Sequence, residues 1–369
     1  LFKIRLIYQT FKTKHHEIKK VIILFALFLG LFNACRKEDS TPEIRSSQTN
    51  NNGAPTPYSL QLPAHFNLLP PPNIPDNNPL TVEGVELGKK LYYEKKLSQG
   101  GSFEGRACAS CHLQSKSFYS NSPFEMEVIP HFNLAWSNQF LWEGKIRGSL
   151  EDVMLFEVND FFEADLSAIR EDAKYQQLYA NAFTDDSINS KNTAYALAQF
   201  FRTMISANSR YDNYLKMLWG GNVEGAKLSN QEMRGMEIYL NEGKGDCFHC
   251  HGGLDNPLLT NNAYVNNGLD QFPDSGLAKY TKRAEDLGKF KTPSLRNLLF
   301  TAPFMHDGRF VTLEEVVDFY ADEVVLNSPN IDGNMLKVRR LNPQERSDLV
   351  AFLKAMTDSS YTQNPAFMP

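Results

Sequence analysis

Two pentapeptides, Cys108-Ala109-Ser110-Cys111-His112 and Cys247-Phe248-His249-Cys250-His251, constrain this chain more than anything else in it. Two thiols three residues apart with a His directly after the second form the attachment signature of c-type haem. The thiols add across the porphyrin vinyl groups, and the His is then held against one face of the iron. Zinc sites and redox pairs also use Cys-x-x-Cys, so a single copy would leave those readings open. A zinc site, however, brings its cysteine pairs within about 15–20 residues of each other. Here the pairs lie more than a hundred residues apart. The expectation is a di-haem redox enzyme, with Cys108, Cys111, Cys247 and Cys250 carrying the porphyrins and His112 and His251 facing the irons.

A chain of 369 residues, 42% hydrophobic, can bury more than one core, and about two domains is the length prior. One haem motif per domain suits that number: residues 59–221 would form an N-terminal haem domain and 222–369 a C-terminal haem domain. The C-terminal tail is expected to pack back on the first. The fifth cysteine, Cys35, follows a charged stretch with Lys19-Lys20, the apolar run Val21 to Phe32, and Asn33-Ala34. That run is shorter than the roughly 20 residues a membrane span needs, so 1–34 reads as a secretory signal. Cleavage before Cys35 and acylation of its thiol would leave a lipoprotein; an ordinary signal or an uncleaved anchor is the alternative. Export to the periplasm or outer membrane follows from either, and covalent haem attachment itself occurs outside the cytoplasm. Residues 1–34 hold six Lys/Arg and one acidic residue against a net charge of −5 for the whole chain, so the remainder stands at −10. An acidic exterior argues against nucleic acid and suits a basic electron donor.

From 35 to 58 the chain is poor in apolar residues and reads as a disordered tether. The Pro-rich stretch 63–79 should drape over the first domain. Thr81 caps a helix in which Val85, Leu87, Leu91 and Tyr92 recur at helical spacing, and Ser149 with Asp152 opens another. A long helix is predicted from Thr193 to about Leu218, with a hinge at Gly220-Gly221. Capping boxes at Ser229/Glu232 and Thr312/Glu315, and Asn342-Pro343 with Glu345, start three more helices. No stretch alternates with period two, so the fold class is mainly α.

Several further motifs resemble the bacterial di-haem cytochrome c peroxidase family, including its MauG-like enzymes. They are Asn78-Pro79-Leu80-Thr81, Leu87 to Leu91, Leu141-Trp142-Glu143-Gly144, Ser149-Leu150-Glu151, Ser209-Arg210-Tyr211-Asp212, Lys291 to Asn297, and Thr301-Ala302-Pro303-Phe304-Met305-His306-Asp307-Gly308-Arg309. The resemblance implies two cytochrome c-like domains, each with one covalently bound c-type haem, with hydrogen peroxide reduced at the first and electrons delivered through the second. It implies Tyr320 as distal ligand of the second iron, where many members carry Met; a Tyr packed elsewhere with Met305 on the iron is the alternative. Trp142 matches the residue that relays electrons between haems, against the plain reading of a core aromatic. The family's catalytic carboxylate maps onto Glu163, with Asp160 or Glu157 as substitutes. Carbonyls matching Thr301 and Pro303 would hold a calcium ion, but Val128 stands where an Asn ligand is expected. Val153 replaces a distal Gln. His131 is read as a surface or neighbouring His, leaving the first iron open, and His249 as facing solvent. Electrons would come from a small cytochrome or copper protein, and a homodimer stays open. Two other readings compete with the peroxidase: a MauG-like oxidase of protein side chains, and an electron-transfer cytochrome without catalysis.

Overall fold

Thr81 starts the first long helix as its side chain requires: its hydroxyl accepts the Gly84 N–H at 3.0 Å, capping α1, Val82–Tyr92. Leu87, Leu91 and Tyr92 form the buried face of this helix. The computed structural model describes residues 53–119, 126–219, 221, 223, 226–337 and 340–369. The leader, Cys35 and Gly220 of the expected hinge lie outside the described residues. Of the expected tether, residues 56–58 are folded: Tyr58 N–H reaches the Leu80 carbonyl at 2.9 Å, and Thr56 donates to the Glu83 carboxylate from both backbone and hydroxyl. A paired backbone and a charge-assisted bond at the start of α1 order what composition alone left loose.

Among the described residues the other α-helices longer than four residues are α2 Leu150–Phe156, α3 Ala173–Ala182, α4 Ser190–Thr203, α5 Arg210–Leu218, α6 Asn230–Tyr239, α7 Leu313–Asp318 and α8 Pro343–Ala355. The capping boxes at Ser149, Ser229, Thr312 and Asn342 all form. Among the described residues strand is confined to two antiparallel pairs, β1 Gln139–Phe140 with β2 Ile146–Arg147 and β3 Tyr264–Val265 with β4 Phe290–Lys291. The mainly α class holds.

The predicted helix 193–218 is two helices, α4 and α5. Met204 to Ser209 leaves the helical path because side chains offer its backbone other partners. Asn133 exchanges two bonds with Ser206, each 2.9 Å. Asp358 Oδ2 accepts the N–H groups of Ala207 and Asn208, each at 3.0 Å. Ser209 with Asp212 then caps α5 afresh.

Two large hydrophobic cores and a small third cluster lie within one compact unit, residues 50–369. The first gathers Leu87, Tyr92, Phe118, Met154, Leu197 and Phe200, with Tyr361 and Phe367 from the C-terminal tail. The second gathers Leu215, Met236, Tyr239, Val317, Phe352 and Met356. α5 therefore contributes to the second core although it precedes the expected boundary at 221. In each half a glycine lets two helices touch. A Cβ on Gly88 of α1 would sit 1.9 Å from the Ala196 carbonyl oxygen of α4, and one on Gly235 of α6 would sit 2.0 Å from that of Asp348 in α8. Each crossing lies on the long helix that precedes a Cys-x-x-Cys-His turn. Among the described residues no helix is long and apolar enough to cross a membrane.

Candidate functional site: two thiol-and-histidine cavities that meet at Trp142

Each pentapeptide folds as one helical turn, Cys108–Cys111 and Phe248–His251. A turn of this kind brings both thiols and the following His to one side, and each set lines a cavity. The first cavity, about 540 Å³, is walled by Cys108, Cys111, His112, Met154, Glu157 and Phe201 among others. The second, about 180 Å³, is walled by Cys247, Cys250, His251, Met305, Leu349 and Tyr320 among others. None of these four thiols is tied up in a disulfide.

The residues present fit a c-type haem in each cavity. His112 Nδ1 lies 2.9 Å from the Phe118 carbonyl and His251 Nδ1 lies 3.3 Å from that of Leu259. A carbonyl only accepts, so each ring carries its proton on Nδ1 and keeps the Nε2 lone pair for a metal. Burial pushes both imidazoles down to about 4, which leaves them neutral at pH 7, the form a metal needs.

Trp142 lines both cavities. Its indole N–H donates to the Glu127 carbonyl at 2.8 Å, and Glu127 N–H donates to the His306 carbonyl at the same distance. The Trp is thus held between the motif-bearing halves by backbone bonds on its ring side.

The acidic candidates separate. Glu163 is exposed, at φ 50°, and accepts the Ser102 hydroxyl at 2.8 Å and its N–H at 3.1 Å. Asp160 is exposed. Glu157 is the carboxylate of the three that lines the first cavity. Burial pushes it up to about 7, against a smaller downward pull from Lys145. The cause of the separation is local. After α2 the chain takes a π-helical turn over Glu157–Phe161, which turns Glu157 inward and Glu163 out toward the loop before Cys108. A π-turn also follows α7, over Phe319–Glu323, and contains Tyr320. Such turns are frequent at functional sites, and sequence periodicity does not signal them.

Tyr320 lines the second cavity, and its hydroxyl accepts from Asn267 Nδ2 at 3.0 Å. Met305 Sδ lies 3.8 Å from the same amide nitrogen, so the Tyr and the Met sit side by side in that wall. His131 is half-buried, and the neighbouring half of its reading is the one that fits. Its ring stacks on His112 at a centroid distance of 3.5 Å, with 20° between planes, and Nδ1 lies 3.2 Å from the Tyr92 hydroxyl. Face-to-face rings at that distance put His131 beside His112, not across the cavity from it. His249 is partly exposed, with Nδ1 at 2.5 Å from Asp246 Oδ1. Thr301 is buried, and the Pro303 carbonyl lies 3.4 Å from the Tyr119 hydroxyl, which is 2.7 Å from Glu127 Oε2. Among the described residues no cluster of three or more His, Cys, Asp or Glu could hold a metal ion. Val128 lines the first cavity. Sequence reading placed Lys291, the other residue common to both cavities, in a motif but gave it no role; a Lys two residues after Lys289 gives no sign that its side chain goes inward.

A helical fold with two Cys-x-x-Cys-His cavities joined at a Trp defines the class of c-type haem oxidoreductases. Comparison with known proteins narrows it. Residues 82–218 match the family described as di-haem cytochrome c peroxidase. The chain is 30% identical over 339 residues to the cytochrome-c peroxidase IdrP1 of Pseudomonas sp. (strain SCT), covering 79% of this chain and 85% of that protein. It is 29% identical over 336 residues to the methylamine utilization protein MauG of Methylophilus methylotrophus, covering 86% and 95%. Among solved structures, a MauG-like protein associated with microbial copper homeostasis superposes with a TM-score of 0.74 at 30% identity, over 84% of this chain and 99% of that one. The chain belongs to the di-haem cytochrome c peroxidase family and is an oxidoreductase.

Proposed function

We propose that this protein is an exported di-haem peroxidase that reduces hydrogen peroxide to water at the His112 cavity, with electrons arriving from a small redox protein through the His251 cavity. The observation that carries the reading is the joining of two thiol-and-histidine cavities at one Trp, with the Glu157 carboxylate lining the roomier one. Haem bound through Cys108/Cys111/His112 and Cys247/Cys250/His251 supplies the iron on which peroxide sits and the store of electrons that reduces it. The chain's own residues supply the rest. One peroxide takes up two electrons and two protons and leaves as two waters, so a proton must move from one oxygen to the other before the O–O bond breaks. Glu157, held near neutrality by burial, can take that proton and return it. Trp142 offers a π-system between the cavities for the electrons. His131, stacked on His112, leaves the opposite wall to peroxide. Export rests on the composition of residues 1–34, and the acidic exterior suits a basic cytochrome or copper protein as donor.

The test is the EPR spectrum of the diferric protein with both haems attached, together with peroxide consumption driven by a reduced small cytochrome. A high-spin signal beside a low-spin one, with turnover, is expected. Two low-spin signals and no turnover would mean an electron carrier and sink the peroxidase reading.

Tyr320 favours a second reading, oxidation of side chains on a partner protein in the manner of MauG, because a phenolate oxygen on the second iron stabilises its oxidised states. Tyr320→Met is expected to raise the midpoint potential of the second haem in spectroelectrochemical titration, since thioether ligation raises haem potentials. An unchanged potential, with Met305→Leu moving it instead, would take Tyr320 off the iron.

A further inference from the structure

We propose that Lys291 is a positioning residue for electron flow, a buried positive charge set between the two haem cavities that raises the reduction potentials of both irons together. The proposal rests on the di-haem reading above. Trp142 and Lys291 are the two residues, among those described, that line both cavities. They are tied to each other, for the Lys291 N–H holds the Trp142 carbonyl at 2.9 Å. Lys291 lies on β4 opposite Tyr264 of β3, and the next N–H along, that of Thr292, reaches the Ala263 carbonyl at 2.8 Å. The backbone that carries the side chain is therefore fixed from both sides.

The residue is 6% exposed. Its ammonium donates to the Gln139 carbonyl at 2.9 Å and Asn262 Oδ1 at 3.0 Å, with Ser137 Oγ at 3.5 Å, and its nitrogen lies 5.8 Å from the centre of the Tyr264 ring. Every one of these partners is neutral. No carboxylate among the described residues lies within 4.0 Å of the nitrogen. Burial lowers the ammonium to about 8, and at pH 7 it remains mostly charged.

A buried Lys is ordinarily paired, because desolvation of its charge is costly. Here three neutral groups of the chain hold the charge in place, and in a low-dielectric interior its field reaches further than at the surface. An iron centre carries one positive charge less when reduced, so a nearby cation favours the reduced form. Because Lys291 borders both cavities, both potentials rise. Electrons are then drawn from the donor into the pair. The same field penalises positive charge resting on the Trp142 indole, so the indole passes electrons and does not store the oxidising equivalent.

The experiment is spectroelectrochemical titration of the wild-type holoprotein and of K291M, K291Q and K291R, after a pyridine haemochrome assay of haem per chain. Fewer than two haems on the wild type would overturn the di-haem reading itself. With two haems present, the neutral variants are expected to lower both midpoint potentials, while K291R leaves both near the wild-type values. Potentials that do not move in a fully loaded neutral variant, or movement of one alone, would overturn the role assigned to Lys291. So would a K291R that loads both haems while neither neutral variant does, since the charge would then serve haem attachment.

Discussion

Glu157→Gln is expected to lower kcat/KM for hydrogen peroxide by about 10²- to 10⁴-fold, the usual worth of a positioned acid–base group, with both haems still attached. Gln keeps the size and one hydrogen-bonding oxygen of Glu but cannot shuttle the peroxide proton. The loss should come with a changed pH profile. The first proton movement is abstraction from peroxide, which requires the carboxylate form. In the wild type kcat/KM should therefore rise with pH as Glu157, raised to about 7 by burial, loses its proton. In the Gln variant that rise should be gone. Glu163→Gln is the control: its carboxylate is exposed and held by Ser102, so peroxide turnover should stay close to wild type. Stopped-flow reduction of peroxide across pH 5–9 separates the two. A large loss in the Glu163 variant with an unaffected Glu157 variant would return the acid–base role to the residue that the motif spacing favours.

The contrast between those two glutamates shows where sequence stops being informative. Motif spacing counts residues, and counting assumes that the chain between two landmarks winds in the same way in every relative. The π-turn at Glu157–Phe161 breaks that assumption by one residue per turn, enough to exchange an inward position for an outward one. Cap residues were more legible because their chemistry is local: Ser149 with Asp152, and Ser229 with Glu232, need only their own first turn. The haem motifs were legible for the same reason, both ligating groups and thiols lying within five residues. Long-range partners left no such trace. The break between α4 and α5 depends on Asn133 and Asp358, each more than seventy residues away in one direction or the other. The inward course of Lys291 depends on carbonyl and amide oxygens at Gln139 and Asn262. Hydrophobic periodicity reports which face of a helix is buried, and it is silent about a polar side chain that is buried because distant groups satisfy it.

Such distant satisfaction is concentrated at Asp212, and its removal should destabilise the fold more than any single change in the cavities. Arg296 donates to Asp212 through Nη1 at 2.7 Å and Nη2 at 2.6 Å, and His65 Nε2 lies 2.8 Å from Oδ1. The same carboxylate caps α5, accepting the Ser209 N–H at 2.8 Å and its hydroxyl at 2.7 Å. All three charged or polar side chains are fully buried. Burial alone would push the Asp212 carboxyl up, but Arg296 and then His65 hold it well below the usual carboxylate range. Asp212→Ala strands the Arg296 guanidinium in the interior, a loss of about 3–5 kcal/mol when one partner of a buried pair is removed. Equilibrium urea unfolding of the haem-loaded protein reads it directly. The pH dependence has a definite sign: a carboxylate whose folded pKa is depressed contributes fully above its unfolded value of about 3.9 and progressively less as pH falls below it. The wild type should lose this part of its stability in acid, and the Ala variant, which has none to lose, should show the shallower slope. Arg296 is five residues beyond Lys291 on the segment that walls the second cavity through Thr292, Pro293, Ser294 and Leu295. Loosening that anchor should therefore also broaden the EPR signal of the second haem before that of the first. Equal broadening of both would mean that Asp212 steadies the whole unit and not this wall in particular.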